Sequence, residues 1–307
     1  MMDFAIGIDL GGTFIKGGVI SQKGECLLEK STPTESHLGG ETIFKNIRHL
    51  CQNLRDEFSE GTIKSMGIGT PGLVDQEKGG VVSGAHNLPG WLNFPFIHLL
   101  KADFSLPVFA HNDVTMMTYG EYLIGAGKGA TNLICITLGT GIGGGFILNK
   151  SLYEGSSKYA GEVGHMKIRH NGRSCTCGSK GCWEAHASAS ALVQRAKEKK
   201  IYKENENSGK IIFEKVKQKD PASIKLLKSY ISDLALGVSN LLNIFNPDIF
   251  VIGGGLSGAS NQFFEPLQKK VQDKTMEAAF NACCIKPAIL GNKAGMIGSA
   301  LFSLNQS

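Results

Sequence analysis

The chain is 307 residues long, with a formal net charge of +5 and 42% hydrophobic residues, a balance that excludes a disordered polymer. Forty glycines, nine prolines and no Gly-X-Y period exclude collagen. No apolar run approaches the roughly 18 residues that span a bilayer, and the N-terminus lacks the basic stretch and apolar core of a signal peptide; a globular cytoplasmic protein with no membrane partner and room for two domains is expected.

In chain order, Phe4 to Leu10, Ile15 to Ile20 and Glu25 to Ser31 read as three strands. Glu41 to Phe58 carries Ile43, Phe44, Ile47, Leu50, Cys51, Leu54 and Phe58 at helical period, and Ile63 to Gly69 returns to strand. Gly72 to Trp91 is rich in turn residues, Pro107 to His111 is a short strand, and Asp113 opens a helix running to about Gly125. Ile134 to Leu148 then repeats Ile6 to Ile20 at an offset of 128 residues, with five of fifteen positions identical, which predicts two related halves. Glu184 to Phe245 is mainly helical, Ile249 to Ile252 is a strand entering three glycines and a further helix, and a strand near Ile285 to Leu290 precedes a last helix, Ala294 to Leu304. Basic residues concentrate between Arg195 and Lys228 on helical stretches without interleaved aromatics, so a solvated face is expected there and no nucleic-acid partner.

Three glycine loops follow strands: Asp9-Leu-Gly11-Gly12-Thr13-Phe-Ile-Lys16, Leu138-Gly139-Thr140-Gly141 running on to Gly145, and Ile252-Gly253-Gly254-Gly255-Leu-Ser257. Glycine lets the backbone approach a ligand and turn its N–H groups inward, and a phosphate chain is the natural guest. Gly139-x-Gly141-x-x-Gly144, with Glu162 beyond it, matches the dinucleotide fingerprint, but that motif needs a helix at its last glycines, and Phe146 to Tyr153 reads as strand, turn and strand. Gly127-Lys128-Gly129 lacks the spacing and hydroxyl of a P-loop.

Five of the eight cysteines lie in apolar stretches and read as core residues. The other three form H-x9-C-x-C-x4-C with His165, Cys175, Cys177 and Cys182, which suits a tetrahedral structural Zn2+, with Gly172, Gly178 and Gly181 bending the loop. Four protein ligands leave no position for a reactive water, so the metal is expected to fix the loop and to do no chemistry.

The strand-DxGGTxxK-strand unit, its echo, the strand-GGG-helix element and the Cys3His array together resemble the ROK family of bacterial sugar kinases and repressors, within the sugar-kinase, heat-shock-protein and actin superfamily, from Asp9 to Gly298. The resemblance implies an α/β, two-domain actin-like ATPase (ribonuclease H-like) fold with duplicated βββαβα halves and a cleft between them. It implies domains at 1–117 with 291–307, and at 118–290. It places Asp9, Gly11, Gly12, Thr13, Lys16, Gly139, Thr140 and Gly141 at the phosphates of ATP and Gly253, Gly254 and Gly255 at the adenosine, with Asp9 organising Mg2+. Asp113 is implied as general base, and Asn87, Asn112, Glu162, His165 and Glu184 as sugar contacts. The expected reaction is phosphorylation of a hexose 6-hydroxyl, glucose first, with N-acetylmannosamine, N-acetylglucosamine and fructose as rivals, by a homodimer. A sugar-sensing repressor is the competing reading; such members carry a helix-turn-helix before the first strand, which here begins by Phe4.

Overall fold

The computed structural model describes residues 2–202, 208–255 and 261–307, and the chain divides into two compact units. The first comprises Met1–Gly129, Leu152–Ala160 and Ile289–Ser307; the second comprises Ala130–Ser151 and Gly161–Ala288. The division falls after Gly129 and not at 117, because the helix between, α3 (Asp113–Leu123), packs on the C-terminal helix α10 (Ala294–Gln306) inside the first unit.

The first unit is built on β1 (Phe4–Leu10), β2 (Phe14–Ser21), β3 (Cys26–Pro33), β4 (Ile63–Thr70) and β7 (Val108–Asn112) in the order β3-β2-β1-β4-β7. The first three strands are antiparallel; β1, β4 and β7 run parallel, so their C-terminal ends share one edge, with Asp9 beside Gly69 and Gly69 beside His111. The turn-rich stretch expected after β4 holds a small hairpin, β5 (Leu73–Asp75) and β6 (Gly80–Ser83), before α2 (Phe96–Phe104).

Alternation along β1 sends Phe4, Ile6, Ile8 and Leu10 into a core shared with α1 (Gly40–Glu57), whose buried Ile43, Ile47, Leu50, Cys51 and Leu54 follow the helical stripe read from the sequence. The other face carries Ala5, Gly7 and Asp9. There Gly18, Gly7 and Gly67 pair across three strands into a glycine row, and the α10 backbone lies directly on it. A Cβ at Gly7 would overlap the Met296 carbonyl oxygen and one at Gly67 that of Ser299, while Gly298 of α10 meets the Met116 carbonyl of α3 just as closely.

The second unit repeats the plan: β8 (Leu133–Leu138), β9 (Ile142–Leu148), β10 (Ser151–Leu152), β11 (Ile249–Gly254) and β12 (Cys284–Pro287), in the order β10-β9-β8-β11-β12. The 128-residue echo is thus a repeated sheet. Its offset holds in the first strand, where Ile8 corresponds to Ile136, but Ile8 pairs with Gly17 and Ile136 with Gly144, so beyond the loop the correspondence slips by one residue. The second hairpin is one residue tighter. Helices α4 (Trp183–Ala187), α5 (Ala189–Glu198), α6 (Gly209–Lys217), α7 (Pro221–Phe245), α8 (Asn261–Gln272) and α9 (Glu277–Ala282) complete the unit. The N-cap Asp220 accepts from Ser223 N at 2.7 Å to open α7, whose Gly237 leaves room for the fully buried Trp183 ring.

No helix among the described residues is long and apolar enough to cross a membrane.

Candidate active site

In the first unit the glycine loop after β1 is held by its neighbours. Thr34 Oγ1 donates to the Gly11 carbonyl at 2.7 Å, Ser36 Oγ to that of Gly12 at 3.2 Å, and a Cβ at Gly12 would lie 3.4 Å from Asn87 Nδ2. Asn87, itself exposed, therefore stands beside the loop. Trp91, fully buried, donates to Thr70 Oγ1 at 3.0 Å and stacks on Phe96, so it is a packing residue. Burial pushes the Asp9 carboxyl above its ordinary value against the pull of Lys16, its cross-strand partner, and Gly295 leaves the carboxylate room, a Cβ there falling 3.0 Å from it. A partly desolvated carboxylate beside a glycine loop fits the neighbourhood of a hard cation.

At the end of β7 the helix cap is Asn112, not Asp113. Asn112 Oδ1 accepts from Val114 N at 3.0 Å and Thr115 N at 3.2 Å, and its amide donates to the Gly72 carbonyl at 3.4 Å. Asp113 is the first helical residue, and its Oδ1 accepts from Val114 N at 2.9 Å. Asn112 is thus fixed by its own hydrogen bonds, and it sets the direction in which Asp113 leaves the strand.

In the second unit the other two loops follow adjacent parallel strands, Thr137 pairing with Gly253 and Leu138 with Gly254. A pocket of about 450 Å3 joins them: Gly139, Thr140 and Gly255 line it with Ser190 and Gln194 of α5 and Lys210 of α6. The strand β9 that follows Gly141 excludes the dinucleotide reading. Ser190, Gln194 and Lys210 were not legible as pocket-lining, because ordinary helix residues acquire that position only when α5 and α6 are placed against the loops. Leu256 and Ser257, at the end of the third loop, lie outside the described residues.

The four expected metal ligands do come together. The ligand atoms of His165, Cys175, Cys177 and Cys182 all lie within 4.8 Å of one another, with Cys175 Sγ 3.6 Å from His165 Nδ1 and Cys177 Sγ 3.6 Å from Cys182 Sγ. Three thiols and an imidazole at that spacing fit a tetrahedral Zn2+. His165 turns Nδ1 toward the cluster and Nε2 toward Glu162, 3.6 Å from Oε2. Burial pushes Glu162 above the usual carboxylate range, His165 opposes that, and the Glu184 charge adds to it. Glu184 Oε2 accepts from Ile142 N at 3.0 Å, which ties the Cys3His segment to the second glycine loop; a Cβ at Gly141 would overlap that carboxylate. Sequence spacing gave no sign of this bond. The Trp183 backbone N–H also donates to the Met166 carbonyl at 2.8 Å.

Comparison with known proteins agrees with this arrangement. Residues 5–306 match the ROK family. The chain is 34% identical over 306 residues to a glucokinase of Thermotoga maritima, covering 96% of this chain and 95% of that one. Among solved structures it is similar to a ROK hexokinase from Thermus thermophilus (TM-score 0.87, 29% identity, 99% and 98% of the two chains). It is also similar to a ROK family glucokinase from Streptomyces griseus in complex with glucose and AMPPNP (TM-score 0.84, 31% identity, 98% and 99%). Two sheets of one topology, each delivering a glycine loop at its strand ends, and these relatives along the whole length lead to one conclusion: the chain belongs to the ROK family, as a sugar kinase with the actin-like two-domain fold.

Proposed function

We propose that this kinase transfers the γ-phosphoryl group of ATP to the 6-hydroxyl of a hexose, glucose first. The observation that carries the reading is the shared edge of β1, β4 and β7, where Asp9, the Gly11-Gly12 loop and Asn112-Asp113 emerge side by side from parallel strands. Ligands of such sheets gather at these carboxyl ends. Asp113 accepts the 6-hydroxyl proton as the sugar oxygen bonds to phosphorus and the bond to the ADP oxygen breaks. Asn87, Asn112, Glu162, Glu184 and His165 Nε2 hold the remaining hydroxyls, paired acceptors and donors suited to adjacent hydroxyl groups. Gly11, Gly12, Thr13, Lys16 and the loop Gly139-Thr140-Gly141 hold the phosphates, and Gly253 to Gly255 the adenosine. Asp9 would help to hold Mg2+, which would neutralise the phosphate charge. The protein acts in the cytoplasm as a homodimer.

The test is purified protein with Mg-ATP and a panel of glucose, fructose, N-acetylmannosamine and N-acetylglucosamine, followed by ADP release. Glucose is expected to give the highest kcat/KM; turnover of none of them by zinc-loaded protein overturns the reading.

The Cys3His cluster is a structural zinc site. It fixes the loop that carries Glu162 and Glu184 and supplies no reactive water. Cys177→Ser removes the most exposed ligand. It is expected to cost the bound zinc on desalting, measured by mass spectrometry of the metal, and to lower the Tm of the second unit by roughly 4–8 °C, the shift that about 2 kcal/mol produces in a domain of about 150 residues. Full zinc retention with unchanged Tm would refute the assignment.

A further inference from the structure

His111 immediately precedes the Asn112-Asp113 pair, is almost fully buried, and uses both ring nitrogens. Its Nδ1 accepts the Asn112 backbone N–H at 2.8 Å, which leaves the ring proton on Nε2, and Nε2 donates to Glu154 Oε1 at 2.6 Å. The Phe302 ring of α10 closes edge-on at 5.9 Å between centroids and fixes the imidazole plane. Lys158 is the other charged group acting on Glu154.

Glu154 sits in a special stretch of chain. Leu152–Ala160 is the excursion in which the polypeptide rejoins the first unit before entering the second at Gly161, one residue ahead of Glu162. The Glu154 carbonyl accepts from Ala160 N at 2.9 Å, so this one residue closes the excursion into a loop and, through its carboxylate, fastens that loop to β7. The imidazole therefore stands between two segments that the proposed kinase mechanism uses for different purposes: Asn112-Asp113 and the lead-in to Glu162.

We propose that His111 is a dual positioning residue for phosphoryl transfer. Through Nδ1 it sets the Asn112 backbone and hence the direction of Asp113; through Nε2 and Glu154 it anchors the segment that delivers Glu162 to the sugar. No group of this pair touches the reacting atoms. The inference rests on the general-base role of Asp113 and the sugar role of Glu162.

The two ring nitrogens can be tested separately. The side-chain amide of asparagine occupies the place of Nδ1 and that of glutamine the place of Nε2. His111→Asn is expected to keep kcat within about threefold and raise the sugar KM about tenfold; His111→Gln is expected to lower kcat about tenfold and keep the sugar KM within about threefold. Glu154→Ala should reproduce His111→Asn, and Glu154→Gln, which retains an acceptor, should restore the wild-type KM. ATP KM should stay unchanged throughout. Variants that lower Tm with kcat and KM both within twofold of wild type, or that move the same parameter for both nitrogens, overturn the proposal. If His111→Asn does not fold, the Glu154→Ala and Glu154→Gln pair decides it, equal sugar KM values for the two being the negative result. A wild-type protein that turns over no sugar would instead refute the kinase mechanism, and that control separates the two failures.

Discussion

Asp113→Asn is expected to lower kcat about 10³-fold while the Kd for sugar stays within about threefold, the loss that removing one positioned general base produces. The substitution keeps volume and shape, and the amide oxygen can still accept from Val114 N as Asp113 Oδ1 does at 2.9 Å. The fold should be indifferent, because the helix is capped by Asn112 and not by Asp113. What disappears is the ability to take the hydroxyl proton. Steady-state ADP release gives kcat, and calorimetric titration with glucose gives Kd. A loss of less than tenfold in kcat would remove Asp113 from the role of base.

Gly7→Ala is expected to destabilise the protein by about 3 kcal/mol, at the upper end of what overpacking costs, since the clash is with backbone on a helix that has little room to retreat. The new methyl would meet the Met296 carbonyl of α10, and α10 is blocked from retreating by Gly298 against the Met116 carbonyl of α3. Gly139→Ala is the contrasting case: nothing lies within 4 Å of a Cβ there, so Tm should be unchanged while the KM for ATP rises. Thermal melts followed by circular dichroism, with ATP kinetics beside them, separate the two. If Gly7→Ala melts with the wild type, the helix does not ride on the glycine row as described.

These two glycines show how far the sequence could be read. Some of the glycines stand in loops at strand ends, as their place in the sequence indicated, and others serve packing, which it did not indicate. Gly7, Gly18 and Gly67 lie inside strands, and nothing in a strand's own alternation says that a helix from the far end of the chain will touch it there. The Cys3His cluster was legible because all its ligands fall within one loop, so spacing alone bounds their separation. The bond from Glu184 to Ile142 and the pair of His111 with Glu154 join residues about forty apart across elements whose packing the sequence does not state. That Asn112-Asp113 joins a strand to a helix was legible, but which of the two caps the helix depends on backbone direction at the end of β7, and composition favours both equally.

The glycine row also orders events during synthesis. Strand β1 begins at Phe4 and its covering helix at Ala294, with the whole second unit translated between them. One face of the first sheet, with Ala5, Ile20 and the bare backbone of three glycines, therefore has no cover until the last helix of the chain has been made. The first-made strands are covered by the last-made helix, a long-range contact that carries a loop-closure cost in entropy.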